Sequence, residues 1–514
     1  MNGAQALIRT LVACGVDLCF TNPGTSEMHF VAALDDVPEM RAVLGLFEGV
    51  VTGAADGYGR MTGRPAATLL HLGPGLGNGI ANLHNARRAR TPIVNIVGDH
   101  AIDHQALDAP LQSDIESLAR PVSAWYREAR DPASLAADAA DAVSAALGPP
   151  GGVATLVLPA DVSWSEGGEP EPANPVPPAN TVTTDTVAAA ARAFRSGETT
   201  ILLIGGMATR ERGLIAAARV TQATGVRLLC ETFPAVLERG AGVPAVERLA
   251  YFSEMAAHQL VGARHLVLAG ALSPVSFFAY PDQVGDLVPE GCEVHVLAAP
   301  GDDVPRALED LVDAIGASSV TVALPAGGRP DRPSGPLDAM TVGAAVGALL
   351  PDGAIVSDEA NTSGLSVFAS TAGAGRHDCL CLTGGAIGQG LPLATGAAVA
   401  CPDRKVLCLE ADGSAMYTLQ SLWTQAREGL DVTTVIFNNR SYAILAIELA
   451  RVGAAASGRR ALDMFDLGRP PLDFVSLAIG MGVSASRATT AEEFTVQLER
   501  ALADPGPVLI EAVI

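Results

Sequence analysis

Two stretches of the chain put oxygen-bearing side chains at the ends of apolar runs. "LCLEADGSAMYTLQ", residues 407–420, runs into Asp412, Gly413 and Ser414, and "TTVIFNNRSYAIL", residues 433–445, runs into Asn438 and Asn439. Asp412 can offer a carboxylate oxygen. Asn439, 27 residues later, can offer an amide oxygen, and the backbone carbonyl of Ser441 is a third candidate. Mg²⁺ takes six hard oxygens near octahedral geometry, usually completed by phosphate oxygens. Gly413 lets the chain come close to a phosphate, and the N–H groups of Gly413 and Ser414, opening a helix, can donate to it. The chemistry these residues call for is capture of a divalent cation together with a phosphorylated ligand. The bland alternative is a pair of surface strand ends with incidental polar caps.

Two further groups could move protons. Glu48, in "VLGLFEGVVTGAADGYGRMTGRPA", follows an apolar strand and opens a helical stretch; a carboxylate is favoured there by the helix dipole alone. His71, in "LLHLGPGLGN", ends an apolar run and meets a Gly-rich turn. An imidazole there can position a carboxylate or shuttle a proton; the bland reading is a packed core histidine.

The elements that must position these residues are short apolar runs alternating with Ala-rich helical stretches. "AATLLHL", "TPIVNIVGD" and "GVATLVLPA" read as buried strands; so do "TTILLIGG", "VRLLCET", "RHLVLAGA" and "CEVHVLAA", and then "GAIVSDEA", "KVLCLEADG", "TTVIFNN" and "PVLIEAVI". Continuous apolar strands separated by helices predict an α/β protein with doubly wound parallel sheets. Two Pro-rich stretches without periodicity, Ser165–Thr181 and Pro325–Pro336, read as linkers. They divide the chain into three domains, 1–164, 182–324 and 337–514. The first and third echo each other: strand, Gly-rich turn, Ala-rich helix, then a strand ending in Gly98-Asp99 or in Ala411-Asp412-Gly413. Ligands on such sheets bind beyond the carboxyl ends of the strands.

Composition narrows the function classes. The net charge of −23 argues against nucleic acid or an anionic membrane as a partner. The run Arg87-Arg88-Ala89-Arg90 reads as a helix end complementing its dipole. Eight Cys without a CxxC pair fit buried free thiols in a reducing cytoplasm, with Cys379 and Cys381 on one face of a strand. No signal peptide or membrane span is expected.

With these residues in place, the chain resembles the enzymes dependent on thiamine diphosphate. Gly-Asp-Gly-Ser, a helix, then Asn-Asn is that family's signature; Ala411 replaces the first Gly, and the Asp, the Asn pair and the spacing are kept. The resemblance implies that Asp412, Asn439 and the Ser441 carbonyl hold Mg²⁺, with Gly413 and Ser414 at the diphosphate. "EGVVTGAADGYGR" is similar to the family's "E-x-x-A-x-x-x-A-D-G-Y-A-R" pattern. It makes Glu48 the carboxylate that hydrogen-bonds N1′ of the cofactor's pyrimidine. "TGGAIGQGLPLATG" puts Ile387 at the apolar wedge between the cofactor's rings and the Gly385 carbonyl opposite its 4′-amino group. "DEANTSG", with Asn361 and Thr362, is similar to a stretch that helps hold the diphosphate. Implied with these are a pyrimidine-binding, a middle and a diphosphate-binding domain. The resemblance also implies a homodimer or homotetramer in which Glu48 and Asp412 meet across a subunit interface.

Acetolactate synthase-like proteins and benzoylformate decarboxylase are the nearest patterns. "TNPGTSEMHF" is similar to the decarboxylase's "N-P-G-S/T-x-E" loop, with Thr25 where a hydroxyl meets the substrate carboxylate; His71 stands where that enzyme has an active-site His. A second His, supplied by its middle domain, is replaced here by the stretch Phe277, Phe278, Ala279, Tyr280. The adjacent His pair of pyruvate decarboxylases is absent, and Leu445 stands at their Glu position. Leu111, Gln112, Leu445, Ile447 and Glu448 fall near the implied substrate pocket, with the segment His100 to His104 a further pocket candidate. An inward Glu448 would disfavour an extended anionic substrate and favour a polar or cationic one. "LLIGGMATRERGLIAAARV" carries no flavin signature, so FAD is not predicted. The expected function is a thiamine diphosphate- and Mg²⁺-dependent decarboxylase of a small 2-oxo acid, with carboligation as an accompanying outcome. The alternatives are an acetolactate synthase-type carboligase and a non-catalytic cofactor-binding partner subunit.

Overall fold

Strands that are apolar on both faces must be covered on both faces, and that is how they lie in the computed structural model, which describes residues 1–281, 283–454 and 458–514. Ala66–Leu70, Ile93–Asp99, Val153–Pro159 and Val432–Asn438 are buried along their whole length. Every apolar run named above is a strand, and the three parallel-sheet units expected from the sequence are present. The N-terminal sheet runs Arg41–Leu44, Leu18–Asn22, Ala66–Leu70, Ile93–Asp99, Val153–Pro159, Trp125–Glu128, all parallel. The C-terminal sheet runs Ser484–Ala488, Val508–Val513, Val432–Asn438, Val406–Ala411, Ala354–Glu359, His377–Cys381. With strands counted along its own stretch of chain, each sheet has the order 2-1-3-4-6-5. The two sheets share a topology, but the echo is offset by one strand: it sets Ala66–Leu70 and Ile93–Asp99, third and fourth in their stretch, against His377–Cys381 and Val406–Ala411, second and third in theirs.

The middle sheet has five strands, Glu247–Arg248, Arg227–Cys230, Thr200–Ile204, His265–Ala269 and Glu293–Ala298. One strand from this stretch leaves it: Leu237–Arg239 pairs antiparallel with His377–Cys381 and becomes the seventh strand of the C-terminal sheet. The stretches 167–179 and 325–335 carry no helix or strand. The domain bounds 1–164, 182–324 and 337–514 remain proposals that must accommodate this exchange.

Two local expectations differ from what forms. "LGPGLGN" is not a turn: Leu72–Ala89 is one continuous helix, and the bend after His71 falls on Leu72 with φ 52°. Its glycines serve close packing instead. A Cβ on Gly73 would lie 2.0 Å from Ser113 Oγ, and one on Gly79 2.9 Å from Thr52 Cγ2. The glycines after His377–Cys381 do make a loop, with Gly385 at φ 74° and Gly388 at φ 90°. The second difference is the helix after the metal motif. It starts at Asp412 itself and is divided into Asp412–Thr418 and Ser421–Glu428, where the Thr418 hydroxyl turns to the Gly388 carbonyl. Arg87 and Arg88 do occupy the last turn of a helix, closed by Arg90 in the left-handed region. Cys379 and Cys381 are buried free thiols.

The helix Glu48–Thr62 packs on the helix Gly390–Ala400 through glycines: a Cβ on Gly57 would sit 2.1 Å from the Leu393 carbonyl oxygen, and one on Gly396 1.8 Å from that of Ala54. A buried ion pair reinforces the crossing. Arg60 binds Asp56 through two nitrogens and donates to the Cys381 carbonyl and to Thr383 Oγ1, while Gln389 Nε2 donates to Asp56. The Glu48 helix is thereby tied to both flanks of the Gly385–Ile387 loop. Among the described residues no helix is long and apolar enough to cross a membrane.

Candidate active site

In a doubly wound sheet the crevice opens where neighbouring strands send their connections to opposite sides. In the N-terminal sheet that point lies between Leu18–Asn22 and Ala66–Leu70. The first strand leads into the short turn Thr25–Glu27, the second into His71. His71 Nδ1 lies 2.8 Å from Glu27 Oε2, and the Gly24 N–H donates to the same oxygen at 2.7 Å. A Cβ on Gly24 would fall 2.2 Å from His71 Nδ1, so only glycine fits over the ring. Glu27 is buried and its Oε1 has no partner among the described residues. Burial pushes its carboxyl upward, against the charge of His71 and the Gly24 hydrogen bond. Thr25 is exposed at the start of the turn. The pair fixes the imidazole orientation through Nδ1 and leaves Nε2 for a ligand.

Glu48, the first residue of its helix, is 7% exposed and accepts from Asn78 Nδ2 at 3.0 Å. Asn78 lies nearly two turns into the helix that follows His71, and a Cβ on Gly75 in its first turn would lie 3.3 Å from Glu48 Oε1 and 3.4 Å from His71 Cβ, so Glu48 and His71 flank the same helix start. The segment Leu111–Ser113 lies on that start through the Ser113–Gly73 approach; Leu111 is exposed, and Gln112 Oε1 is buried without a partner among the described residues. His100 and His104 face each other with ring centroids 5.2 Å apart just beyond Ile93–Asp99, the strand beside Ala66–Leu70, whose Gly98 abuts Glu27: a Cβ there would lie 1.7 Å from Glu27 Oε1.

The equivalent crevice of the C-terminal sheet lies between Ala354–Glu359 and Val406–Ala411. Asp412 leaves the second strand buried, accepting from the Gly413 N–H at 2.8 Å and from the Arg440 N–H at 2.6 Å. The second bond brings the tip of the neighbouring strand, Val432–Asn438, to the carboxylate. Arg440 takes φ 56° in that tight turn, and Asn439 Oδ1 accepts from the Ser441 N–H. Asn438 points elsewhere, donating to Glu511. Ala411 has φ −76°, so its methyl meets no backbone penalty. A Cβ on Gly413 would lie 2.3 Å from the Tyr442 ring; glycine is required by that approach. Asn361, at φ 50°, donates to Ser414 Oγ at 3.0 Å, and Thr362 follows it. Burial pushes the Asp412 carboxyl upward, opposed by its backbone donors. A neighbouring cation would relieve that cost.

The Gly385–Ile387 loop closes this crevice. Glu359 accepts from the Gly388 N–H at 2.7 Å and from the Gly390 N–H, and burial pushes its carboxyl to about 7. Glu410 lies beside it, buried, its carboxyl raised first by burial and then by Glu359. From the other side, Asn82 donates to the Gly388 carbonyl and Asn85 to that of Ala386. Phe277 reaches Gly385, where a Cβ would be 3.0 Å from the ring. It belongs to a group of aromatic rings with Phe233, Tyr251 and Phe278.

Glu448 points inward, but not as a free charge. Tyr280 donates to its Oε2 at 2.9 Å, Arg451 Nε lies 3.5 Å from the same oxygen, and Arg451 is itself paired with Glu254. Leu445 and Ile447 of the same helix, Ala443–Arg451, are exposed. Sequence reasoning missed Glu27, Glu359 and the Asp56–Arg60 pair. Each had a local signal: Glu27 stands two residues after Thr25 in the quoted loop, Glu359 two before Asn361 in "DEANTSG", and Asp56 and Arg60 are an i,i+4 pair within "EGVVTGAADGYGR".

The donor set suits a thiamine diphosphate with its cation. The buried Asp412 carboxylate and the half-buried Asn439 amide oxygen sit at adjacent strand tips, Gly413 and a helix start adjoin them, and Ile387 lies in a loop held by Glu359 and Asn85. Comparison with known proteins agrees with that reading. Residues 1–119 match the thiamine pyrophosphate enzyme N-terminal TPP-binding domain, and residues 370–512 the C-terminal TPP-binding domain. A Mycobacterium tuberculosis protein, named provisionally as the acetolactate synthase large subunit IlvX, is 61% identical over 100% of this chain and 99% of its own. The benzoylformate decarboxylase of Pseudomonas aeruginosa is 30% identical over 97% and 96% of the two chains. The solved thiamine diphosphate-dependent 4-hydroxybenzoylformate decarboxylase of Rhodococcus jostii RHA1 superposes with a TM-score of 0.86 at 26% identity, covering 100% of this chain and 99% of that one. Two crevices at equivalent points of sheets with one strand order, together with these likenesses, place the chain in the thiamine diphosphate-dependent enzymes of decarboxylase and acetolactate synthase type.

Proposed function

We propose that the protein is a Mg²⁺- and thiamine diphosphate-dependent decarboxylase of a 2-oxo acid. The observation that carries this is the His71–Glu27 pair at the N-terminal crevice, in the position equivalent to the Asp412–Ser414 motif of the C-terminal one. When bound, the cofactor supplies the electron sink for loss of CO₂. Asp412, Asn439 and the Ser441 carbonyl hold the cation; Gly413, Ser414 and Asn361 serve the diphosphate; Ile387 and the Gly385 carbonyl orient the rings. Glu48 holds a proton at the cofactor's pyrimidine nitrogen. Thr25 orients the substrate carboxylate, and His71, steadied by Glu27, delivers or removes a proton at the reacting carbon through Nε2.

Glu48 bonds to Asn78 of its own domain, and neither it nor His71 hydrogen-bonds to Asp412 or Asn439 in the chain. Leu46 and Leu111 stand exposed near one crevice, Met416, Tyr417 and Leu445 near the other. Both facts support a dimer in which the two crevices of different protomers close on each other. The aromatic group around Phe277, and a Glu448 already engaged by Tyr280, favour a bulky apolar or aromatic side chain on the 2-oxo acid. At the middle sheet's crevice, the Gly206 N–H is taken by Glu231 Oε1 at 2.9 Å and Gly205 abuts Gly270, which supports leaving flavin out of the reading.

Replacing Glu48 by Gln tests the reading. CO₂ release from a panel of aromatic, aliphatic and polar 2-oxo acids should fall by at least about a hundredfold while calorimetry still registers cofactor uptake. Near-normal turnover in that variant would remove the mechanism. Carboligation is the second reading, favoured by Phe277 standing where a proton donor was looked for. Accumulation of acetolactate rather than aldehyde from pyruvate would select it.

A further inference from the structure

Away from both crevices, the outer edge of the middle sheet gathers two imidazoles and two carboxylates. His265–Ala269 and Glu293–Ala298 are parallel neighbours, with His265 opposite Glu293 and Val267 opposite His295. Alternation puts His265, Glu293 and His295 on one face. His265 Nδ1 lies 3.1 Å from His295 Nε2 and 3.8 Å from Glu293 Oε2; His295 Nδ1 lies 3.8 Å from Glu293 Oε1. One ligand atom from each of the three falls within 4.8 Å of the others. On its far side, His265 Nε2 meets Glu198 Oε2 at 2.9 Å.

We propose that His265, His295 and Glu293 bind a divalent transition-metal ion of the zinc class, with Glu198 orienting His265. Metal–ligand bonds of about 2.0–2.1 Å in a tetrahedron hold ligand atoms roughly 3.3 Å apart, and the 3.1 and 3.8 Å separations bracket that spacing. A carboxylate on Nε2 keeps the proton there and turns the Nδ1 lone pair toward the other two ligands, the usual carboxylate–histidine–metal arrangement. A hydrogen bond between the two rings accounts for one contact. It does not account for a carboxylate oxygen 3.8 Å from the same His265 Nδ1 while another carboxylate secures the far nitrogen. Both histidine side chains are sheltered, at 13% and 16% exposure, while Glu293 at 68% is free to swing onto an ion. Imidazole ligands select zinc-like ions over Mg²⁺, so this site differs in kind from the one at Asp412. Glu293–Ala298 is the outermost strand of its sheet, and a bound ion clips it to its neighbour.

The test uses the whole protein supplied with excess Mg²⁺ and thiamine diphosphate. Equilibrium dialysis against Zn²⁺, and the visible spectrum with Co²⁺, should give one ion per chain with tetrahedral bands. His265→Ala and His295→Ala should each weaken binding at least about a hundredfold, and Glu198→Gln about 10–100-fold, with CO₂ release unchanged. Glu293→Gln, at the exposed position, gives the same readout should a histidine variant fail to fold. No zinc uptake at micromolar concentration, or uptake unchanged in His265→Ala, His295→Ala and Glu293→Gln, overturns the site.

Discussion

The N-terminal crevice carries Thr25, Glu27 and His71; the equivalent crevice of the C-terminal sheet carries Asn361, Asp412 and Ser414. Strand order and strand ends are alike in the two, so the sheet does not decide the chemistry. What differs is how each region uses its glycines and its buried acids. In the N-terminal region the glycines after His71 are helical and let side chains close in, and the buried acid, Glu27, faces an imidazole. In the C-terminal region they form a loop with positive φ, and the buried acid, Glu359, faces backbone N–H groups. The first region sets a buried acid against an imidazole, the arrangement on which the proposed proton transfer rests; the second sets its buried acid against backbone donors beside Asp412, on which the proposed cofactor binding rests.

The largest expected effect separates the two regions by what is lost. Asp412→Ala should abolish detectable uptake of thiamine diphosphate and Mg²⁺ in calorimetry, whereas His71→Ala should retain uptake and lose about a hundredfold or more in turnover. Equal loss of uptake in both would erase the distinction. Arg60→Met comes next: it leaves Asp56 buried without its cation, and the unfolding free energy should fall by about 3–5 kcal/mol in denaturant titration. Glu27→Gln should keep uptake intact and cost about ten- to a hundredfold in turnover, less than loss of His71 itself.

Two smaller effects sharpen the comparison. Gly385→Ala forces a Cβ onto a left-handed residue against Phe277 and should lose about 1–2 kcal/mol. Gly77→Ala, helical with open space around it, should gain up to about 1 kcal/mol. Opposite signs in thermal melts are the check. The last effect concerns pH. Glu359 titrates at about 7 in the folded chain against 4.5 ordinarily, so the folded state holds a proton that the unfolded state has released. Its contribution to stability is complete below pH 4.5 and is lost as pH rises through about 7. Glu359→Gln should flatten that part of the stability profile; an unchanged slope would mean the carboxyl does not titrate there.

Much of this was legible because it is local. Apolar runs announced their strands, and Asp412 and Asn439 sit at the ends of adjacent ones, separated only by the helical crossover Asp412–Thr418 and Ser421–Glu428. The halves do share a strand order, but the echo in the sequence matches each N-terminal strand with the C-terminal strand one place earlier, and so sets Asp99 rather than His71 against Asp412. What stayed hidden depends on distance along the chain. Glu27 and His71 are 44 residues apart, and nothing in either segment names the other. The LGPGLGN stretch was misread as a turn because glycine signals a bend and a close approach alike; Ser113, Thr52 and the strained Leu72 decide which. The direction of Glu448 depends on Tyr280, which comes from the middle stretch.

The three-residue strand Leu237–Arg239 has a consequence for anyone who cuts this protein apart. It is sewn onto His377–Cys381, and Arg239 stacks over Phe368 at 3.6 Å and donates to Thr371. Residues 337–514 expressed alone would bare the backbone of His377–Cys381 beside the two buried cysteines, an open seam prone to self-association. Excision of the last portion should begin upstream of residue 237 or carry that ribbon as a graft.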